Sequence, residues 1–332
     1  MTATELATLP RPRLRAAGGG WAMFLLRRLG TFVLSLWGLV TAAFLMLQVI
    51  PGDPARLAVG MNAPVALVEA TRHQLGLDLP LPVQYLRFIG GLLTGDPGDS
   101  IALHQPVLDV IGSRLPATLE LAFITIVVVI VVAVPTGLLF AAISRGGRHR
   151  LVDLGYTTVS GVLAVVPEFL LGVGLVYVFA VATHLLPVAG RTGPASYVLP
   201  VAALAIGAIA LLSRIVRAEA LTVLDADYMR TARAKRMPAR LLYLRHALPN
   251  LLTATLTMSA IILGSLIAGT VLVESIFAWP GLGQTLVSSI TDKDYPLAQT
   301  LVVVYGGIVL LIHFVVDVVL SLVDPRSTIR EA

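Results

Sequence analysis

The chain has 332 residues, of which 57% are hydrophobic and only 13% charged, with a net charge of +5 and no cysteine. Soluble domains carry about a quarter charged residues, so the composition excludes an ordinary globular protein and places the chain in a membrane. The lack of cysteine excludes disulfides and thiolate metal sites, and the basic excess belongs beside anionic lipid without any need for nucleic acid.

A polar tail, 1–28, comes first; it carries Arg11, Arg13, Arg15, Arg27 and Arg28 and has no compact signal peptide, since the run after it is too long for a signal core. Six apolar stretches follow: Gly30–Ile50, Leu121–Ile143, Leu154–Ala182, Tyr197–Ser213, Leu251–Val273 and Leu297–Val323. Most are near the ~20 residues that a helix needs to cross a ~30 Å hydrocarbon core. The shortest, Tyr197–Ser213, reaches that length if Arg214 and Arg217 snorkel to the interface. The predicted fold is therefore an all-α integral membrane protein with six transmembrane helices. Its divisions are the tail 1–28, a first helix 29–50, an external region 51–116, a core 117–322 holding helices two to six and a cytoplasmic loop 219–249, and a tail 323–332.

Within the external region, Pro51-Gly52-Asp53-Pro54 stops the first helix, Val65–Leu75 and Val83–Leu93 have helical apolar spacing, and Gly95–Ser100 is turn chemistry. Pro135 and Pro167 lie inside spans, where each frees a carbonyl and favours a kink. In span five, the small residues Gly264 with Ala268 and Ser265 with Gly269 allow another helix to approach closely. Eighteen of the 24 lysines and arginines fall on the side holding both tails, the loop after span two and the loop after span four. The positive-inside rule makes that side cytoplasmic, with both termini inside.

Ionisable residues at membrane depth are functional candidates. Glu168 follows Pro167, where its carboxylate has two open roles: meeting the amino terminus of a peptide, or bonding freed backbone and a neighbouring span. His313 and Asp317 share one helix face and suit an interhelical or subunit-interface pair better than a pathway lining or a metal route, while Glu274 lies at the outer end of span five, where a gate or a binding-protein contact competes with plain solvation. Trp279, ahead of Pro280 and Gly281, reads as an interfacial anchor. The sequence contains no HExxH and no Gly-x-Ser-x-Gly.

Asp225–Asn250 holds six cations between two spans. Asp225 and Asp227 precede a run of helix formers that ends at Lys235 and Arg236, followed by Met237-Pro238, which predicts a short helix outside the membrane. On charge alone this is a solvated basic loop. Its spacing, however, resembles the EAA signature of ABC-importer permeases: Arg230-Thr231-Ala232 stand in the first triplet, Arg236 in the glycine position, and His246, Leu248 and Pro249 in the closing positions. The wording Arg230-Thr231-Ala232-Arg233-Ala234-Lys235 resembles the dipeptide/oligopeptide/nickel branch, in which the glycine is usual. Pro51–Pro54, Leu75-Gly76-Leu77-Asp78 with Gln84-Tyr85, Gly95-Asp96 before Ser100, Glu274 through Trp279–Gly283, and Asp317 to Asp324-Pro325-Arg326 resemble the same branch in order.

The resemblance implies a type I importer permease in a bacterial inner membrane, working with a second permease, two ATPases that bind ATP and Mg, and an external solute-binding protein. It implies a peptide cargo, with nickel chelates, glutathione or another solute as alternatives within the family. Residues 230–236 with 246, 248 and 249 are then the ATPase-coupling element, and Glu168, Glu274, Trp279, Gly281 and Asp317 are pathway or gate candidates. The chain itself binds no cofactor on this reading: its two lysines, Lys235 and Lys293, stand in no P-loop, so the motor is a separate polypeptide. The alternative from another class is a self-sufficient secondary transporter or channel coupled through Glu168 and Asp317.

Overall fold

The computed structural model describes residues 18–49, 53–60, 62–74, 76–145, 149–238, 241, 242, 245 and 248–323. The tails 1–17 and 324–332, including Asp324-Pro325-Arg326, and the turn residues Pro51 and Gly52 lie outside them. The described chain is helical: α1 (Gly18–Val49), α2 (Pro54–Val59), α3 (Val65–Gln74), α4 (Leu81–Thr94), α5 (Val107–Ser144), α6 (Arg150–Val165), α7 (Glu168–Leu175), α8 (Val198–Asp225), α9 (Asp227–Ala234), α10 (Leu248–Ile276), α11 (Leu282–Thr291) and α12 (Tyr295–Val323).

Segments within α1, α5 and α12 and the stretch Pro194–Asp225 are each long and apolar enough to cross a membrane, and α6 with α7 supplies a further candidate. The fifth expected span corresponds to α10, a continuous helix of 29 residues. Two boundaries differ from expectation. Helix α5 starts at Val107 and runs for 38 residues, because Pro106 and the turn ahead of it start a helix well outside the apolar core. The stretch Leu154–Ala182 is not one straight crossing: it breaks at Val166-Pro167 and turns through 97°. Val166 is extended (φ −66°, ψ 123°), the conformation that the proline ring after it favours, whereas Pro135 leaves α5 continuous. Beyond the break α7 passes into a wider turn, Val176–Ala182, in π geometry.

Helices α5 and α8 pair along their lengths to form the centre; α10 and α7 pack on α8, and α1 packs on α12. The largest buried cluster joins α5, α8 and α10 through Leu121, Val129, Leu212, Val216 and Leu266. The start of α1 meets the end of α12 through Arg28–Asp317 at 3.0 Å and Phe32–Phe314 rings at 5.4 Å, so both ends of the described chain lie at one end of the bundle. An even number of crossings requires this.

The described residues between α1 and α5 are tied down rather than loose. Asp53 accepts from the Ala55 amide at 3.2 Å, capping α2, and from Arg72 of α3 at 2.7 Å. Gln84 donates to the Leu79 carbonyl at 2.8 Å, and the Tyr85 hydroxyl meets Thr41 of α1 at 2.6 Å, which gives the Gln84-Tyr85 pair a structural reason. Buried Asp294 accepts from the Ser100 hydroxyl and from the Ala102 amide, fastening the turn before α5 to the start of α12.

Candidate functional site

Helix α9 is short and two-faced. Met229 and Ala232, three apart, turn inward and pack with Ala220 and Leu224 of α8, Ala141 of α5 and Leu251 of α10. Arg230, Thr231, Ala234, Lys235 and Arg236 are exposed, as is Tyr228, an aromatic residue on the open face that sequence reasoning passed over. Ala232 therefore serves the inner packing, and the small residue on the open face is Ala234. Helical period alone would have separated the two. Leu248 starts α10 half-buried; His246 and the side chains of Arg233 and Pro249 lie outside the described residues.

Arg236 stands where the family pattern has glycine, and it adopts φ +54°, the left-handed conformation that glycine takes without strain. The Met237 amide reaches back to the Ala232 carbonyl at 3.4 Å, and the Met237 side chain packs against the inward cluster. These are the bond and the apolar contact of a Schellman stop, so the helix ends as a glycine would end it, at a cost of roughly 1 kcal/mol. Arg236→Gly is expected to raise the thermal stability of the purified chain by about that amount. An unchanged or lower melting temperature would count against the strained cap.

The base of α9 is braced at the same end of the bundle. The Ser144 hydroxyl donates to Asp153 at 2.8 Å, Arg217 pairs with the same carboxylate, and Arg145 of the α5–α6 turn pairs with Asp225 at 2.8 Å. Tyr156 stacks on Phe140 with ring centroids 4.0 Å apart and donates to Ser213 at 2.9 Å. Arg217 thus ties α8 to α6 instead of reaching freely to lipid.

At the opposite end the chain folds back after α10. Glu274 and Trp279 are fully buried, so neither is a surface contact nor an interfacial anchor. The reason is local: Gly281 and Gly283 bring the backbone onto the Glu274 carboxylate, where a Cβ at Gly281 would lie 2.4 Å from it. Glu274 accepts from the Gly283 amide at 2.6 Å, Thr118 accepts from the Leu282 amide at 2.8 Å, and the Trp279 indole donates to the Ala117 carbonyl at 3.0 Å. Thr118, which carries no sequence signal, completes this clasp between α5, α10 and α11.

Glu168 begins α7 immediately after the break, with its carboxylate against α10 at Gly269, where a Cβ would lie 2.4 Å from it. Gly264 in turn receives the ring of His313 from α12. The small residues of span five therefore serve two different neighbours. Asp317 pairs with Arg28, an interhelical role as expected of it. The structure thus brings together the residues of α9 and its brace, and separately Glu274 with Trp279 and Gly281; Glu168 and Asp317 stand apart from both.

Residues 133–329 match the family described as binding-protein-dependent transport system inner membrane component, and residues 22–122 match its membrane-component N-terminal region. The chain belongs to this family. A probable peptide ABC transporter permease of Sinorhizobium fredii is 37% identical over 92% of this permease and 98% of its own length. The glutathione transport system permeases of Pectobacterium atrosepticum and Escherichia coli K12 are 36% and 35% identical over 91% of this chain and 97% of theirs. Among solved structures, the inward-facing MetNI methionine ABC transporter aligns with a TM-score of 0.57 at 20% identity, covering 65% of this permease and 97% of that chain, which speaks to fold alone. This permease is accordingly a multi-pass inner-membrane subunit of an ABC importer, without catalytic chemistry of its own, and works with ATPase and binding-protein partners. The self-sufficient transporter is set aside.

Proposed function

We propose that this permease forms half of the pathway by which small peptides enter the cell, with a second permease as the other half and two ATPases, one of them docked at α9. The observation that carries the coupling role is the division of α9: its apolar face is anchored in the bundle and its cationic face, with Tyr228, is open. ATPase closure would then move a helix that is packed directly on α5, α8 and α10, and so favour one arrangement of the spans. The excess of cations in the loops beside α9 supports a cytoplasmic position for this end and for both termini. On the same reading residues 51–116 form the outer cap, and the Glu274–Trp279–Gly281 clasp holds the outer end of the pathway.

Peptide cargo is supported by the peptide permease relative and by the glutathione permeases, since glutathione is itself a tripeptide. The test is uptake of radiolabelled trialanine into proteoliposomes holding the full complex, with unlabelled dipeptides, tripeptides, glutathione and a nickel chelate as competitors. Competition by a range of short peptides is expected. Competition by glutathione alone, or by the nickel chelate alone, would replace the cargo while leaving the importer intact.

A further inference from the structure

Glu168 lines a cavity of about 260 Å³ between the α6–α7 break, α8 and α10. Its other walls include Ala203 and Gly207 of α8 and Ser265 of α10, and no cation stands among them. A second electron-rich group, outside that lining, faces the same Gly207 of α8. Pro167 has no amide hydrogen to give to the Leu163 carbonyl one turn back, and that oxygen lies 3.4 Å from where a Cβ on Gly207 would be. The Ser265 hydroxyl is engaged by its own helix, donating to the Ile261 carbonyl at 3.1 Å. Among the described residues the Glu168 carboxylate has no cation or hydrogen-bond donor as partner. The cavity lining therefore offers a carboxylate and no cation or free side-chain donor to meet it.

We infer that this cavity is a subsite for a primary ammonium group, held by the Glu168 carboxylate. A carboxylate at membrane depth is costly without a partner, and an ammonium supplies three donors and the opposite charge. The volume suits one residue of a ligand, not a whole tripeptide. With the peptide-import reading, on which this step rests, the group is the amino terminus of the passing peptide. The broken helix would then place a charge-selective point within the pathway itself, in addition to whatever selection occurs outside.

The chain has no cysteine, so Ser265→Cys introduces a single thiol into the cavity wall without removing a cross-helix bond. In the full complex, this thiol is expected to react with aminoethyl methanethiosulfonate, a primary ammonium, on the order of tenfold faster relative to neutral methyl methanethiosulfonate than it does after Glu168→Gln. Equal ratios with and without Glu168→Gln would overturn the subsite. Trialanine uptake then tests the cargo role: Glu168→Gln is expected to raise KM about tenfold while ATPase capture stays normal, with Glu168→Asp recovering part of the loss. Unchanged uptake by Glu168→Gln would overturn the role in transport. If the unsubstituted complex imports no peptide at all, the peptide reading fails and the cargo role with it, while the labelling ratio still decides whether the cavity takes an ammonium.

Discussion

Tyr228→Asp combined with Ala234→Glu is expected to abolish stable capture of the ATPase subunits while leaving the permease inserted and folded. Both positions lie on the open face of α9, away from Met229 and Ala232, so neither substitution touches the packing that holds the helix in place. Surface changes of that kind alter folding stability by about 0.5 kcal/mol or less. At a docking surface the same changes remove an aromatic anchor and put negative charge into a cationic face, a loss on the order of 2 kcal/mol or more and hence roughly thirtyfold in affinity. Affinity purification of the permease with its ATPases, alongside a melting curve of the permease alone, separates the two effects. Undiminished capture would show that α9 is not the docking element, and a collapsed melting curve would show that the open face is not free.

Trp279→Ala is expected to be among the most destabilising single truncations in the chain. The side chain is fully enclosed, sits edge-on to Tyr197 with ring centroids 4.7 Å apart, and donates to the Ala117 carbonyl at 3.0 Å. Truncating a buried tryptophan costs about 3–5 kcal/mol, and the orphaned carbonyl adds about 1 kcal/mol or more. In a domain of this size that corresponds to a melting temperature lower by on the order of 10 °C. Trp279→Phe, which keeps most of the packing and loses the donor, is expected to recover more than half of the loss. A melting temperature for Trp279→Ala within a degree or two of the unsubstituted chain would contradict the clasp as a structural joint between α5, α10 and α11.

The membrane class and most of the helices were legible because apolar runs of the right length have few other uses in a folded chain. The failures share a cause. Helix α5 begins outside its apolar run, since Asp109 and Arg114 interrupt hydropathy without interrupting hydrogen bonding. Pro135 and Pro167 look alike in sequence, yet only the second breaks its helix. Trp279 reads as an interfacial anchor by its type; its burial follows from a backbone fold-back that Gly281 and Gly283 permit. By contrast, the inward turn of Ala232 was readable from the three-residue step to Met229. The left-handed Arg236 was readable only against the family pattern, where the usual glycine marks the backbone that the residue must adopt.

The central claim is that this chain carries no motor and is driven through α9. The most direct measurement is trialanine uptake into proteoliposomes assembled with the second permease and the binding protein, with and without the ATPase subunits, and with ATP supplied on the α9 side. Uptake is predicted only when the ATPases and ATP are both present, and it is predicted to vanish in the Tyr228→Asp, Ala234→Glu variant. Uptake sustained by an ion gradient without any ATPase, or uptake unaffected in that variant, would contradict the account.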